Sequence, residues 1–180
     1  MSEEKATIAT VWLGGCSGCH MSFLDLDERL FELAERAVIR ASPITDLKEF
    51  TPVDVGIVEG TVVNEENIER VRDLRRKARI LVAIGDCACY GGISAMRNLF
   101  DVKEVLERAY LETESTRIGD LPDAPEVPRL LPRAVPVQEV VNVDAVIPGC
   151  PPSADEIWYA ITELLAGRVP VWDRTRLHYD

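Results

Sequence analysis

An α/β fold with a mainly parallel sheet is what this chain of 180 residues predicts, and three observations carry the prediction. Short β-branched, apolar runs alternate with segments of helical period. Several of the helical segments have recognisable starts and stops. Glycine-rich turns bearing cysteine follow directly after three of the predicted strands, as ligand-bearing turns do along the carboxyl edge of a parallel sheet.

Strands are expected at residues 7–13, 37–41, 54–59, 80–84 and 144–147, each an apolar run bounded by turn residues. After the first strand, Leu26, Leu30 and Leu33 recur at helical spacing, with Asp25, Asp27, Glu28 and Glu32 left for the wet face. A second helix starts at the N-cap Asn64. Glu65 and Glu66 lie in its first turn and Arg75, Arg76 and Lys77 in its last, matching the helix dipole at both ends. Its buried stripe is Ile68, Val71 and Leu74. A shorter helix begins at Asp101, with Val102, Val105, Leu106 and Ala109 facing inward. The last helix opens with a Ser153/Glu156 capping box, buries Ile157, Ile161, Leu164 and Leu165, and stops at Gly167. Between residues 121 and 136, Pro122, Pro125, Pro128, Pro132 and Pro136 predict an extended surface stretch rather than regular structure. It lies within a longer proline-rich surface segment at about 110–143.

With 47% hydrophobic residues, the chain can build its own core, and a single domain over residues 1–180 is expected. The net charge of -11 argues against nucleic acid and anionic membrane surfaces as partners. No apolar run reaches the roughly 20 residues of a membrane helix. The acidic N-terminus lacks the features of an export signal, so a cytoplasmic location is expected. In that reducing compartment an odd count of 5 cysteines points to metal rather than disulfides.

Cys16 and Cys19 form a C-x-x-C pair in a glycine-rich turn after the first strand. Gly85-Asp86-Cys87 follows the fourth, and Pro148-Gly149-Cys150-Pro151-Pro152 follows the fifth. A flavodoxin-like strand order of 2-1-3-4-5 brings these three loops together at one edge, and four thiolates suit a cubane [4Fe-4S] cluster. Cys89 lies two residues beyond Cys87. A turn tight enough to close on a cluster hardly points both sulfurs at it, so Cys87 is the expected ligand and Cys89 a buried packing residue. A structural zinc on the same cysteines is the competing reading, although zinc sites more often use two local knuckles than ligands separated by whole βα units.

Together with Val58-Glu59-Gly60 and Ala88-Cys89-Tyr90-Gly91-Gly92, these motifs resemble the small subunit of nickel-iron hydrogenases, from Trp12 to Trp158 and in the family's order. The stretch from Trp12 to Asp25 is similar to the short, single-cluster type of soluble NAD-reducing hydrogenases. Longer small subunits carry an export signal and a second cysteine-rich region, neither of which is seen here. The homologous subunit of respiratory complex I is the nearest rival, but it has adjacent cysteines where this chain has Cys16-Ser17-Gly18-Cys19.

The resemblance implies a flavodoxin-like fold and one [4Fe-4S] cluster, with Cys87 as the ligand of the middle motif. It further implies a nickel-iron centre on a separate large subunit, and diaphorase subunits carrying FMN and further iron-sulfur clusters, where NAD+ is reduced. On that reading the chain transfers electrons and is not catalytic alone. Gly14, Gly15, Gly85 and Gly149 are expected to let backbone amides approach the cluster, and Glu59, at the end of the third strand, to lie beside it; Asp86 carries a weaker signal. Trp12, Met21, Phe23, Tyr90 and Ile93 are expected on the face that meets the large subunit.

Overall fold

The structure, a computed structural model, describes residues 5–173 and 175. Five parallel strands form the central sheet: β1 (Ala6–Trp12), β2 (Ala37–Ala41), β3 (Val53–Glu59), β5 (Ala78–Ile84) and β7 (Ala145–Ile147), in the order β2-β1-β3-β5-β7. Counting only these strands, the order is the 2-1-3-4-5 that the sequence predicts. A separate antiparallel pair joins β4 (Val62–Asn64) to β6 (Leu130–Val135).

Both faces of the sheet are covered, which is why its strands read as nearly continuous apolar runs. The two-residue period sorts each strand between two cores. Ile8, Val55, Ile57, Val82 and Ile84 pack with Phe23, Leu26, Leu33, Ile157 and Ile161 on one face. Val11, Val58, Leu81 and Ala83 pack with Val71, Leu74, Ala88 and Val137 on the other. The first face is roofed by α1 (Gly18–Leu24), α2 (Arg29–Arg36) and α6 (Ala154–Leu165), and the second by α3 (Glu65–Lys77) and α4 (Gly85–Tyr90).

The caps agree with the sequence. The Asn64 side chain accepts from the Asn67 amide, and Ser153 with Glu156 closes a complete capping box. Gly167 follows α6 with φ +74°, the left-handed conformation that suits a helix stop.

At the amino ends of the strands, two aspartates tie neighbouring strands together. Asp54 accepts from the Thr7 amide and hydroxyl (2.9 and 2.9 Å), and Asp144 accepts from the Leu81 amide (2.7 Å) and Arg75 (2.5 Å). The Thr7 hydrogen bonds hold the Asp54 carboxyl below its usual range. Burial works to raise Asp144, but Arg75 and the Leu81 amide outweigh it and hold that carboxyl low as well.

Four expectations are corrected. The helix expected through Leu26, Leu30 and Leu33 is two helices, broken where Asp27 takes φ +50°. Leu26 and Leu33 are still buried, so the stripe is right and the continuity is not. The proline-rich stretch is partly regular: Leu130–Val135 pairs with β4, a short peripheral ladder in which Pro132 is tolerated. The helix after Asp101, α5 (Val102–Tyr110), starts at Asp101 as expected, in a capping box with Glu104, but buries none of its residues, and Ala109 is exposed. Finally, the middle cysteine motif, where a turn was expected, forms the start of α4, and the 3-10 helix Ile93–Leu99 comes after it.

Candidate metal centre

The first cysteine loop is fixed before it reaches its cysteines. Beyond the end of β1, the Leu13 amide donates to Glu59 O (2.8 Å), and Gly14 and Thr61 exchange amide hydrogen bonds of 2.9 and 2.8 Å. A Cβ at Gly14 would lie 2.5 Å from Val63 Cγ1, so the close crossing of these two chains requires glycine. Ser17 then takes the left-handed conformation, φ 64°, and α1 begins, bearing Cys19.

Glu59, at the carboxyl end of β3, is buried against the first turn of α1. Its two oxygens accept from the amides of Cys19 (3.1 Å) and His20 (2.9 Å), and the second also meets His20 Nδ1. These amides are orphan donors of a helix start, and a carboxylate is what satisfies them best. His20 Nε2 in turn lies 2.9 Å from the Thr10 hydroxyl, which donates to Ser42 (3.0 Å). Glu59 is thus an anchor for the Cys19 turn, and His20 a neighbour of that anchor.

Gly85, at the end of β5, has φ +80°, and a Cβ there would lie 2.2 Å from Cys19 Sγ. The middle motif can therefore pack onto the first only with glycine at this position. Cys87 is partly exposed on α4. Its carbonyl, and that of Gly91, accept from the buried Thr61 hydroxyl (3.0 and 2.8 Å). The Ser94 hydroxyl donates to Gly14 O (2.9 Å) and lies 3.9 Å from Cys87 Sγ. In the last motif, Gly149 has φ +134° and leaves no room for a Cβ, which would stand 2.5 Å from Pro152 Cα. The Ser22 hydroxyl donates to Pro152 O (2.6 Å), tying α1 to the Cys150 loop. Gly15 is different: it is exposed, and a Cβ there would make only an ordinary contact, 3.4 Å from Gly60 Cα.

Cys19 feels the charges of Cys16, Cys87 and Cys150, and Cys150 those of Cys16 and Cys87. Burial pushes the Cys19 thiol up, and Glu59, Cys87, Cys16 and Cys150 push it further. Burial also raises Cys150, with Cys87, Asp86 and Cys16 adding to it. Raised thiols such as Cys19 and Cys150 fit a bound cationic core, which compensates the thiolate charge. Among the described residues, no three His, Cys, Asp or Glu side chains are gathered closely enough for a single metal ion. Four thiolates delivered by three separate loops are the donor chemistry a cubane takes, one at each of its four iron corners.

Cys89 is fully buried on the other side of α4. Its sulfur lies 3.5 Å from Ala83 O and 4.0 Å from Ile147 O, and burial first, then Asp86, pushes its thiol up to about 12. It belongs to the apolar core of the second face.

Sequence reasoning did not find Thr61 or Ser94, which have no motif of their own. Thr61 directly follows Val58-Glu59-Gly60, and a hydroxyl placed just beyond a strand end was the available signal. Phe23 is also corrected. It is only 8% exposed and packs in the core, whereas Trp12 (39%), Met21 (46%), Tyr90 (60%) and Ile93 (69%) do lie on the surface.

A family model described as NADH ubiquinone oxidoreductase, 20 Kd subunit, matches residues 16–164. The chain belongs to this family. Its relatives include hydrogenase subunits. It is 44% identical over 169 residues to a subunit of the F420-non-reducing hydrogenase of Methanothermobacter thermautotrophicus, a match that covers 91% of this chain and 54% of that one. It is 42% identical over 170 residues to the delta subunit of the NAD-reducing hydrogenase HoxS of Cupriavidus necator, covering 92% and 81%. The chain thus spans about half the length of the methanogen relative and most of the HoxS subunit. A chain in the crystal structure of an NAD+-reducing [NiFe]-hydrogenase in the H2-reduced state superposes with a TM-score of 0.94 at 45% identity, covering 98% of this chain and 100% of that one. A [NiFeSe]-hydrogenase from Dm. baculatum, at 19% identity and a TM-score of 0.61, shares the fold. Within the family, these relatives favour a hydrogenase small subunit over the complex I subunit. Among the described residues, no helix is long and apolar enough to cross a membrane.

Proposed function

We propose that this chain is the electron-transferring small subunit of a cytoplasmic NAD-reducing nickel-iron hydrogenase, holding one [4Fe-4S] cluster on Cys16, Cys19, Cys87 and Cys150. The observation that carries the reading is the convergence of three cysteine loops, distant in sequence, on the carboxyl edge of one parallel sheet. The likeness to NAD-reducing hydrogenase chains supports the choice of electron source and acceptor.

A bound cluster of this type supplies one-electron transfer. The chain's own residues supply its position: Glu59 holds the Cys19 turn, Thr61 holds the Cys87 turn, and Gly85 lets the two pack together. Hydrogen is split on the large subunit, since this sequence has no second C-x-x-C pair to hold a nickel-iron centre. Electrons leave toward diaphorase subunits with FMN and further clusters, where NAD+ is reduced. Trp12, Met21, Tyr90 and Ile93, exposed around the cysteine loops, form the face that meets the large subunit.

Anaerobic purification through a tag on this chain, followed by iron, sulfide and zinc analysis, tests the proposal. About four iron and four labile sulfides per chain are expected, beyond those of the partners, with the brown colour of an iron-sulfur protein. Stoichiometric zinc without iron would end the cluster reading.

A further inference from the structure

Asp86 is the one acidic residue in the first turn of α4, where a carboxylate would ordinarily face solvent or cap its own helix. Here it reaches across to the loop that follows β7. Its amide donates to Gly149 O (2.8 Å), and its Oδ1 accepts from the Gly149 amide (2.8 Å). Residue 86 precedes Cys87 and residue 149 precedes Cys150, so the pair of hydrogen bonds joins the two ligand loops one residue before each sulfur.

We infer that Asp86 is a positioning residue for the metal centre, a two-point clamp that fixes the Cys150 loop on the Cys87 turn. The inference rests on the cluster reading above. The chemistry follows from the geometry. The sheet ladder between β5 and β7 runs only from Val82↔Ala145 to Ile84↔Ile147. Beyond Ile147 the chain leaves the ladder through Pro148 and turns at Gly149, whose φ of +134° only glycine adopts readily and whose backbone groups have left the sheet. The Asp86 bonds satisfy both the amide and the carbonyl of Gly149 at that point. The other tie on this loop, from Ser22 to Pro152 O, lies on the far side of Cys150. Cys150 is therefore held between a clamp before it and a clamp after it, and only the first involves a charged group. An anionic side chain beside a cluster also lowers its reduction potential, because net charge is one of the levers that set it.

Two variants separate the roles, each in the complex purified anaerobically through this chain. Asp86→Asn keeps an oxygen to accept from the Gly149 amide and removes the charge; iron content should match wild type, and the midpoint potential of this cluster should shift to a more positive value. Asp86→Ala removes the side-chain half of the clamp; iron and sulfide per complex should fall below wild type, with altered EPR g-values in what remains. A residue that served only the stability of the fold would lower the melting temperature and leave potential and g-values in place. If Asp86→Ala does not assemble, Asp86→Glu decides, since it keeps the charge but displaces the carboxylate from the Gly149 amide; iron content and g-values equal to wild type in that variant overturn the inference. Wild-type complex with no cluster on this chain would overturn the function proposal itself. A wild-type cluster with both variants indistinguishable from it would overturn only the role of Asp86.

Discussion

Cys87 and Cys89 lie on the same short helix, and their different surroundings assign them different work. Cys87 is partly exposed, and its charge is felt by Cys19 and Cys150. Cys89 points into a core of Val58, Leu81, Ala83 and Val137 and makes its sulfur contacts with backbone oxygens. On a helix with about 100° between successive residues, positions two apart face nearly opposite ways, so one cluster cannot take both. Cys87→Ala is expected to remove or convert the cluster and bleach the visible absorption of this chain. Cys89→Ala should leave the spectrum and the EPR signature in place and cost about 1 kcal/mol of stability through the small cavity it leaves. The reverse pattern would reassign the ligand.

At the scale of elements, the centre depends on how α1 is started. The seven residues from Gly18 to Leu24 are too few to hold themselves in water. The turn is held from outside, by Glu59 on the Cys19 and His20 amides and by Phe23 in the core. Glu59→Ala would leave two amides and the His20 ring without their buried partner, a loss on the order of 3 kcal/mol. Glu59→Gln keeps an acceptor and should cost less. Thermal melts of the two variants, with cluster content measured beside them, test this order: Ala should lose more of both than Gln, and equal behaviour would remove Glu59 as the anchor. Much of this was legible. The strands, their order, the Asn64 and Ser153 caps and the placing of Glu59 at a strand end follow from hydrophobic period and turn chemistry. The break at Asp27 was not legible, because Leu26, Leu30 and Leu33 keep helical spacing across it while the backbone takes a left-handed step. Nor was the pairing of β4 with β6, a contact between segments far apart in sequence and rich in proline. The Asp86 clamp was hidden for a similar reason, since its partner is a backbone group in a loop far away in sequence.

For the molecule as a whole, the two edges of the sheet differ in kind. The amino edge is closed by its own ion pairs and hydrogen bonds, through Asp54 with Thr7 and Asp144 with Arg75 and Leu81. The carboxyl edge carries the cysteine loops and is ringed by Trp12, Met21, Tyr90, Ile93 and Met96, large apolar groups left on the surface. Their place around the metal loops fits the proposed face toward the large subunit, which the assembly would cover. Electron transfer asks for the same thing, since the donor site must lie a short distance from the sulfurs. Obligate interfaces of this kind bury about 2,000 Å² or more and are more apolar than ordinary surface. Hydrogen exchange on the chain alone and in its complex should therefore show added protection at residues 14–21 and 87–96. Phe23, already in the core, should change little, and so should the exposed α5. If protection appears on α5 while the cysteine loops exchange alike in both states, the docking face lies elsewhere, and the electron path drawn through Cys16, Cys19, Cys87 and Cys150 loses its starting point.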